Sequence, residues 1–153
     1  MDESLLGVRC VAENVLSDGG EVGFEHPGAY GEYFLTEAAN VHALRADMDA
    51  AHATLIEPLA VCVRGLRRLR LEDRSAAVVL GDGAIGLLML ALLRAEGVQR
   101  LTLVGGRTAR LQTARDLGSA ETVNYHEVDE TLSEAVLQAL GGLVGTVVEA
   151  SGS

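Results

Sequence analysis

The order of elements from residue 75 onward predicts an α/β fold built on a parallel, doubly wound sheet. Three observations carry this. A short apolar run, Ala76–Leu80, enters the pattern G-x-G-x-x-G at Gly81, Gly83 and Gly86. A strongly apolar helical stretch leaves it. Strand-like and helix-like segments then alternate as β-α-β-α-β-α-β, an order that needs right-handed crossovers and hence parallel pairing.

Each element has a local reason. Residues 1–35 are rich in Gly and acids and carry short β-like pieces such as Tyr33–Thr36. Residues 50–71 read as helix, with Leu55, Leu59, Val63 and Leu66 at helical spacing and Pro58 near the helix start. Ala76–Leu80 is expected as a strand and Ala84–Glu96 as a helix. Leu101–Val104 follows as a strand, and Arg107–Leu117 as a helix ended by Gly118. Thr122–Asn124 is a short strand, and Leu132–Leu140 a helix ended by Gly141 and Gly142. Thr146–Glu149 is the last strand, and the first four strands are expected in the order 3-2-1-4. There is no internal repeat and no low-complexity segment.

A chain of 153 residues with 48% hydrophobic content can bury one good core. The longest apolar run, Ala84–Leu93, is too short to span a bilayer and reads as a buried helix. The N-terminal residues lack a basic region before an apolar stretch, so no signal peptide is expected. Cys10 and Cys62 make no disulfide framework, and a reducing cytoplasm is the default. The net charge of −10 argues against nucleic acid. That charge is uneven: −9 over residues 1–60, +5 over 61–120 and −6 over 121–153. The positive middle coincides with the glycine loop and suits a phosphate-bearing ligand, although Arg64, Arg67, Arg68 and Arg74 equally fit a solvated helix face. Every basic residue is Arg, which has no functional reading.

The glycine loop is the principal candidate site. Gly81 allows a sharp turn, Gly83 leaves room for a pyrophosphate beside the backbone, and Gly86 lets the helix pack closely on the strand. Ala84 and Ile85 open the helix, whose free N–H groups and dipole favour an anion. A dinucleotide site of the NAD type usually carries an acid at the end of the second strand, about 20 residues beyond the loop. Gly105 stands there. With the acid gone, Gly106 and Arg107 suit a 2′-phosphate, Arg107 as its partner, which favours NADP over NAD. The competing reading of Arg107 is an exposed side chain in a helix-starting turn. Asp82, inside the loop, should repel phosphate unless it points to solvent. His26, His42, His52 and His126 have no metal-ligand spacing.

Several segments in sequence resemble the zinc-type medium-chain dehydrogenase/reductase family of alcohol, polyol and threonine dehydrogenases. They are Gly28–Phe34 (G-A-Y-G-E-Y-F), Ala38–Leu44 (A-A-N-V-H-A-L), Leu55–Val61 (L-I-E-P-L-A-V), the loop V-V-L-G-D-G-A-I-G-L-L, Arg110–Gly118 and Val147–Ser153. V-G-G-R at Val104–Arg107 is similar to the V-G-S-R of the family's NADP-dependent secondary alcohol dehydrogenases. The likeness covers residues 20–153 and rests on the order and spacing of the segments. Arg45 departs from a usual Pro, and Arg64 from a frequent His.

The resemblance implies a partial Rossmann-type domain over residues 75–153, an interdomain helix over 57–74, and a β-rich remnant of a GroES-like catalytic domain over 1–56. It implies a zinc-dependent oxidoreductase that moves hydride between a secondary alcohol and NADP or NAD, acting on a small alcohol or ketone as a cytoplasmic homo-oligomer. Glu57 matches a glutamate that ligates zinc, directly or through water, in polyol-type members; on local grounds it also suits a helix N-terminus. The family's four-cysteine structural zinc lobe is missing, and Cys10, which matches its last ligand, is read as a remnant that binds nothing. The family's other catalytic ligands, a Cys and a G-H-E histidine, are not seen, so no catalytic residue is assigned and the 153-residue chain alone is expected to be inactive. The alternatives are a non-catalytic nucleotide-binding remnant and a zinc-free reductase of the quinone-reductase type, the latter opposed by E-P-L.

Overall fold

The computed structural model describes residues 16–33, 36, 38, 41–69, 71–119, 121–129 and 131–152. The chain divides into two compact units, Met1–Met48 and Asp49–Ser153. In the first, the described residues form turns and one isolated bridge, between Val22 and His26. Asp18 accepts the Gly20 N–H at 3.0 Å and lies 3.0 Å from His26 Nε2. Cys10, and Phe34 and Leu35 of the β-like piece, lie outside the described residues.

The second unit opens with α1 (Ala50–Ala53) and α2 (Ile56–Leu69). Residues 50–71 were expected to be helical with the helix starting near Pro58; α2 starts at Ile56, and the break that separates it from α1 has a simple cause. Pro58 has no N–H to give the Thr54 carbonyl and its ring crowds that carbonyl, so the helix stops and restarts with proline in its first turn. Then follow β1 (Ala76–Leu80), α3 (Ala84–Ala95), β2 (Arg100–Gly105), α4 (Thr108–Asp116), β3 (Glu121–Asn124), α5 (Leu132–Leu140) and β4 (Thr146–Glu149).

The four strands are parallel and lie in the order β3-β2-β1-β4. Both faces are covered, which is why β1 reads as an unbroken apolar run. Alternate residues serve alternate layers. Ala77, Val79, Leu101 and Leu103 pack with Leu87, Leu90 and Leu93 of α3 and Leu111 and Ala114 of α4. Val78, Val104 and Val123 face the other way, onto Ala135 and Leu140 of α5. The helix changes face where the order reverses about β1, as right-handed crossovers require. α5 starts at a capping box, Thr131 with Glu134.

The register aligns the carboxyl ends. Leu80 pairs with both Val104 and Glu149, and Gly105 with Asn124. All four strands therefore end at one edge, with the order reversing at β1, where ligands collect in open α/β sheets.

Candidate functional site

The loop between β1 and α3 is shaped by close approaches. Gly81 has φ +118°, and a Cβ there would lie 2.5 Å from the Ala150 carbonyl oxygen just after β4. A Cβ on Gly86 would lie 2.0 Å from the Gly81 carbonyl oxygen, so only glycine lets α3 sit this close to the loop. Gly83 differs: no atom lies within 4 Å of its added Cβ. The helix starts at Ala84 and Ile85 with no side-chain cap. Its first N–H groups lack intrahelical partners and carry the positive end of the dipole, beside the open face of Gly83.

These residues border a crevice of about 440 Å³ along the carboxyl ends of the strands. Its walls include Gly81, Asp82, Gly83, Gly105, Gly106 and Arg107. The size falls within the range of about 300–1,000 Å³ usual for small-ligand sites. Gly81, Gly83, Gly105, Gly106 and Arg107 are thus brought together, whereas Ala84, Ile85 and Gly86 do not line the crevice. A groove of about 490 Å³ between α4, β3 and α5 lies away from the loop.

Asp82 does what the sequence did not suggest. It neither points to solvent nor stands free to repel an anion. Its side chain is 9% exposed and reaches the end of β2. Oδ2 accepts the Gly106 N–H at 3.1 Å and the Arg107 N–H at 2.9 Å. Oδ1 accepts Arg107 Nε at 3.0 Å, and Nη2 as well. The Arg107 guanidinium holds the carboxyl below the usual carboxylate range, burial opposing it and the two N–H groups adding to it. A Cβ on Gly105 would lie 2.6 Å from Asp82 Cβ. Asp82 therefore fills the space that an acid at residue 105 would use. Arg107, at the N-cap of α4, is engaged by Asp82 while its side chain stays 62% exposed.

Tyr125 and His126 were missed as site residues. A Cβ on Gly106 would meet Tyr125 Oη at 2.4 Å, and the two rings stand 4.3 Å apart beside Arg107 at the crevice edge. The signal was the end of β3 at Asn124, because the residues after any strand of this sheet fall on the same edge. Glu149, Ala150 and Ser151, after β4, join the wall for the same reason.

Glu57 is exposed in the first turn of α2. Among the described residues no three His, Cys, Asp or Glu side chains cluster so as to hold a metal. The described residues alone do not fit a zinc ion, which needs three or four such donors. A dinucleotide does fit: the uncapped helix start, the open face at Gly83 and the crevice suit a pyrophosphate. Among the described residues no helix is long and apolar enough to cross a membrane.

No family model matches the chain. It is 35% identical over 109 residues to the L-threonine 3-dehydrogenase of Bacillus velezensis, a match of 71% of this chain and 31% of that protein. The galactitol-1-phosphate dehydrogenase structure from Escherichia coli superposes with a TM-score of 0.72 at 26% identity, covering 86% of this chain and 38% of that one. A zinc-binding dehydrogenase from Sinorhizobium meliloti, solved bound to NADP, gives 0.74 at 27% identity, covering 95% and 43%. The chain spans about a third of the length of the curated relatives it matches. By sequence and by fold together, the chain is similar to alcohol, polyol and threonine dehydrogenases of the zinc-type medium-chain dehydrogenase/reductase family.

Proposed function

We propose that residues 75–153 bind the nicotinamide cofactor of a zinc-type alcohol or polyol oxidoreductase that moves hydride between a secondary alcohol and NADP or NAD. The observation that carries this is the open face of Gly83 at an uncapped helix start, between two glycines that admit no side chain. The pyrophosphate takes the N–H groups of Gly83, Ala84, Ile85 and Gly86. The adenosine end lies toward Gly105, Gly106 and Arg107. The cofactor supplies the redox chemistry; these residues bind and orient it.

NADP is the preferred cofactor. Arg107 has five side-chain N–H donors and gives two to Asp82, so its outer edge is free for a 2′-phosphate. The related dehydrogenase solved with NADP supports this choice. Because Asp82 neutralises Arg107, the preference is modest, about tenfold or less.

Residues 57–74 serve as the helix between domains, and residues 1–56 as part of a catalytic domain. Glu57 serves as one zinc ligand when residues outside the described ones supply the rest, and the described residues alone turn over no alcohol. The substrate is a small alcohol or ketone, and the enzyme works in the cytoplasm as a homo-oligomer. Calorimetric titration of NADP and NAD into the 153-residue chain tests the reading. Saturable binding with NADP tighter is expected; failure to bind either cofactor overturns it.

A further inference from the structure

We infer that Asp82 limits the cofactor preference: its carboxylate fills the anion receptor at the end of β2 and competes there with the 2′-phosphate of NADP. This rests on the crevice being a dinucleotide site. The receptor has three parts, the Gly106 N–H, the Arg107 N–H and the Arg107 guanidinium. Two successive N–H groups at a helix start with an Arg fork make a set that recognises phosphate oxygens. Here the anion they hold comes from the chain itself. Gly105 gives it room, since a Cβ there would overlap Asp82 at 2.6–2.8 Å.

The occupation is complete. A carboxylate offers about four acceptor positions, and four N–H groups of Gly106 and Arg107 fill them. A ribose hydroxyl has no acceptor left to use, so Asp82 does not replace the missing strand-end acid in binding NAD. Its effect falls on the phosphate. A 2′-phosphate near neutral pH carries a charge of about −1.5 to −2, and it meets an Arg whose charge is already balanced by a buried carboxylate. It must take the outer edge of Arg107 or displace Asp82. NAD, without the phosphate, meets neither cost.

The test is the ratio of NADP to NAD affinity in the wild-type chain, Asp82→Asn and Asp82→Ser, by calorimetry, each variant checked for a cooperative melt. A loop merely distorted by substitution weakens both cofactors together; release of the receptor does not. The ratio is expected to rise about tenfold in the variants, through tighter NADP. An unchanged or lower ratio in a folded variant overturns the inference and leaves the dinucleotide site standing. Failure of both cofactors to bind wild type and variants overturns the site as well. The wild-type chain gives a second reading through the NMR signal of Arg107 Nε–H. That signal is expected to shift with NADP or 2′,5′-ADP and to stay in place with NAD; a signal unmoved by NADP overturns the competition.

Discussion

At the end of β1, Gly81–Gly83 leads into α3; at the end of β2, Gly105–Arg107 leads into α4. Both are glycine-rich turns from a parallel strand into a helix, on the same edge of the sheet. The first leaves its helix start uncapped, with open space over Gly83. The second has its N–H groups and its Arg taken by Asp82, a residue of the first. Like backbones thus give unlike receptors, because one side chain crosses from one turn to the other. A glycine in such a turn marks room, and the neighbouring chain decides what takes it.

The largest expected effect lies in the first turn. Gly86→Ala sets a Cβ against the Gly81 carbonyl oxygen, and neither atom can swing away. A loss of about 3 kcal/mol of stability is expected in denaturant melts, with both cofactors lost. A stable variant that still binds would mean that the tight helix packing is not required.

In the second turn, Arg107→Ala strips two of the four donors from a buried carboxylate. A loss of stability is expected in denaturant melts, limited by the exposure of Arg107. The NADP to NAD ratio should fall about tenfold by calorimetry. If the ratio holds, Arg107 does not read the 2′-phosphate.

Acid should act on the second turn more than on the first. The folded state lowers the Asp82 pKa, chiefly through Arg107. The stability this brings is fully present above the unfolded value of about 3.9 and is lost as pH falls through the folded value. Thermal melts from pH 6 to pH 2 should therefore converge for wild type and Asp82→Asn at the acid end. Parallel curves would detach the carboxylate from folding. The smallest effect belongs to Glu57→Gln, an exposed site where a change within about 0.5 kcal/mol is expected.

Much of the second unit was legible in the sequence, because its central strands β1 and β2 are buried on both faces and run into glycines. Val78 and Val79 serve opposite layers, so β1 had to read as a continuous apolar run. The helix start near Pro58 was legible too; what the apolar spacing of Leu55 and Leu59 did not show is the separate short helix Ala50–Ala53 ahead of it. Gly81, Gly83 and Gly86 were readable because the backbone itself makes that turn. The Asp82–Arg107 pair was not readable. The two residues stand 25 apart in sequence, and only the β1–β2 register brings them together. Tyr125 and His126 were hidden for a related reason: β3 ends at Asn124 as expected, but only the side-by-side register of β2 and β3 carries the residues after it to the edge where Arg107 lies.

The most direct measurement compares NADP binding by the wild-type chain and Gly83→Ala. Gly83 has φ −75°, extended backbone that alanine adopts, and open space where the methyl would go. Its melting should be nearly unchanged, within about 1 kcal/mol. If a pyrophosphate rests on that face, the methyl excludes it, and calorimetry should give NADP binding weaker by more than about tenfold. Equal NADP binding by two equally stable proteins would contradict a dinucleotide site at this loop.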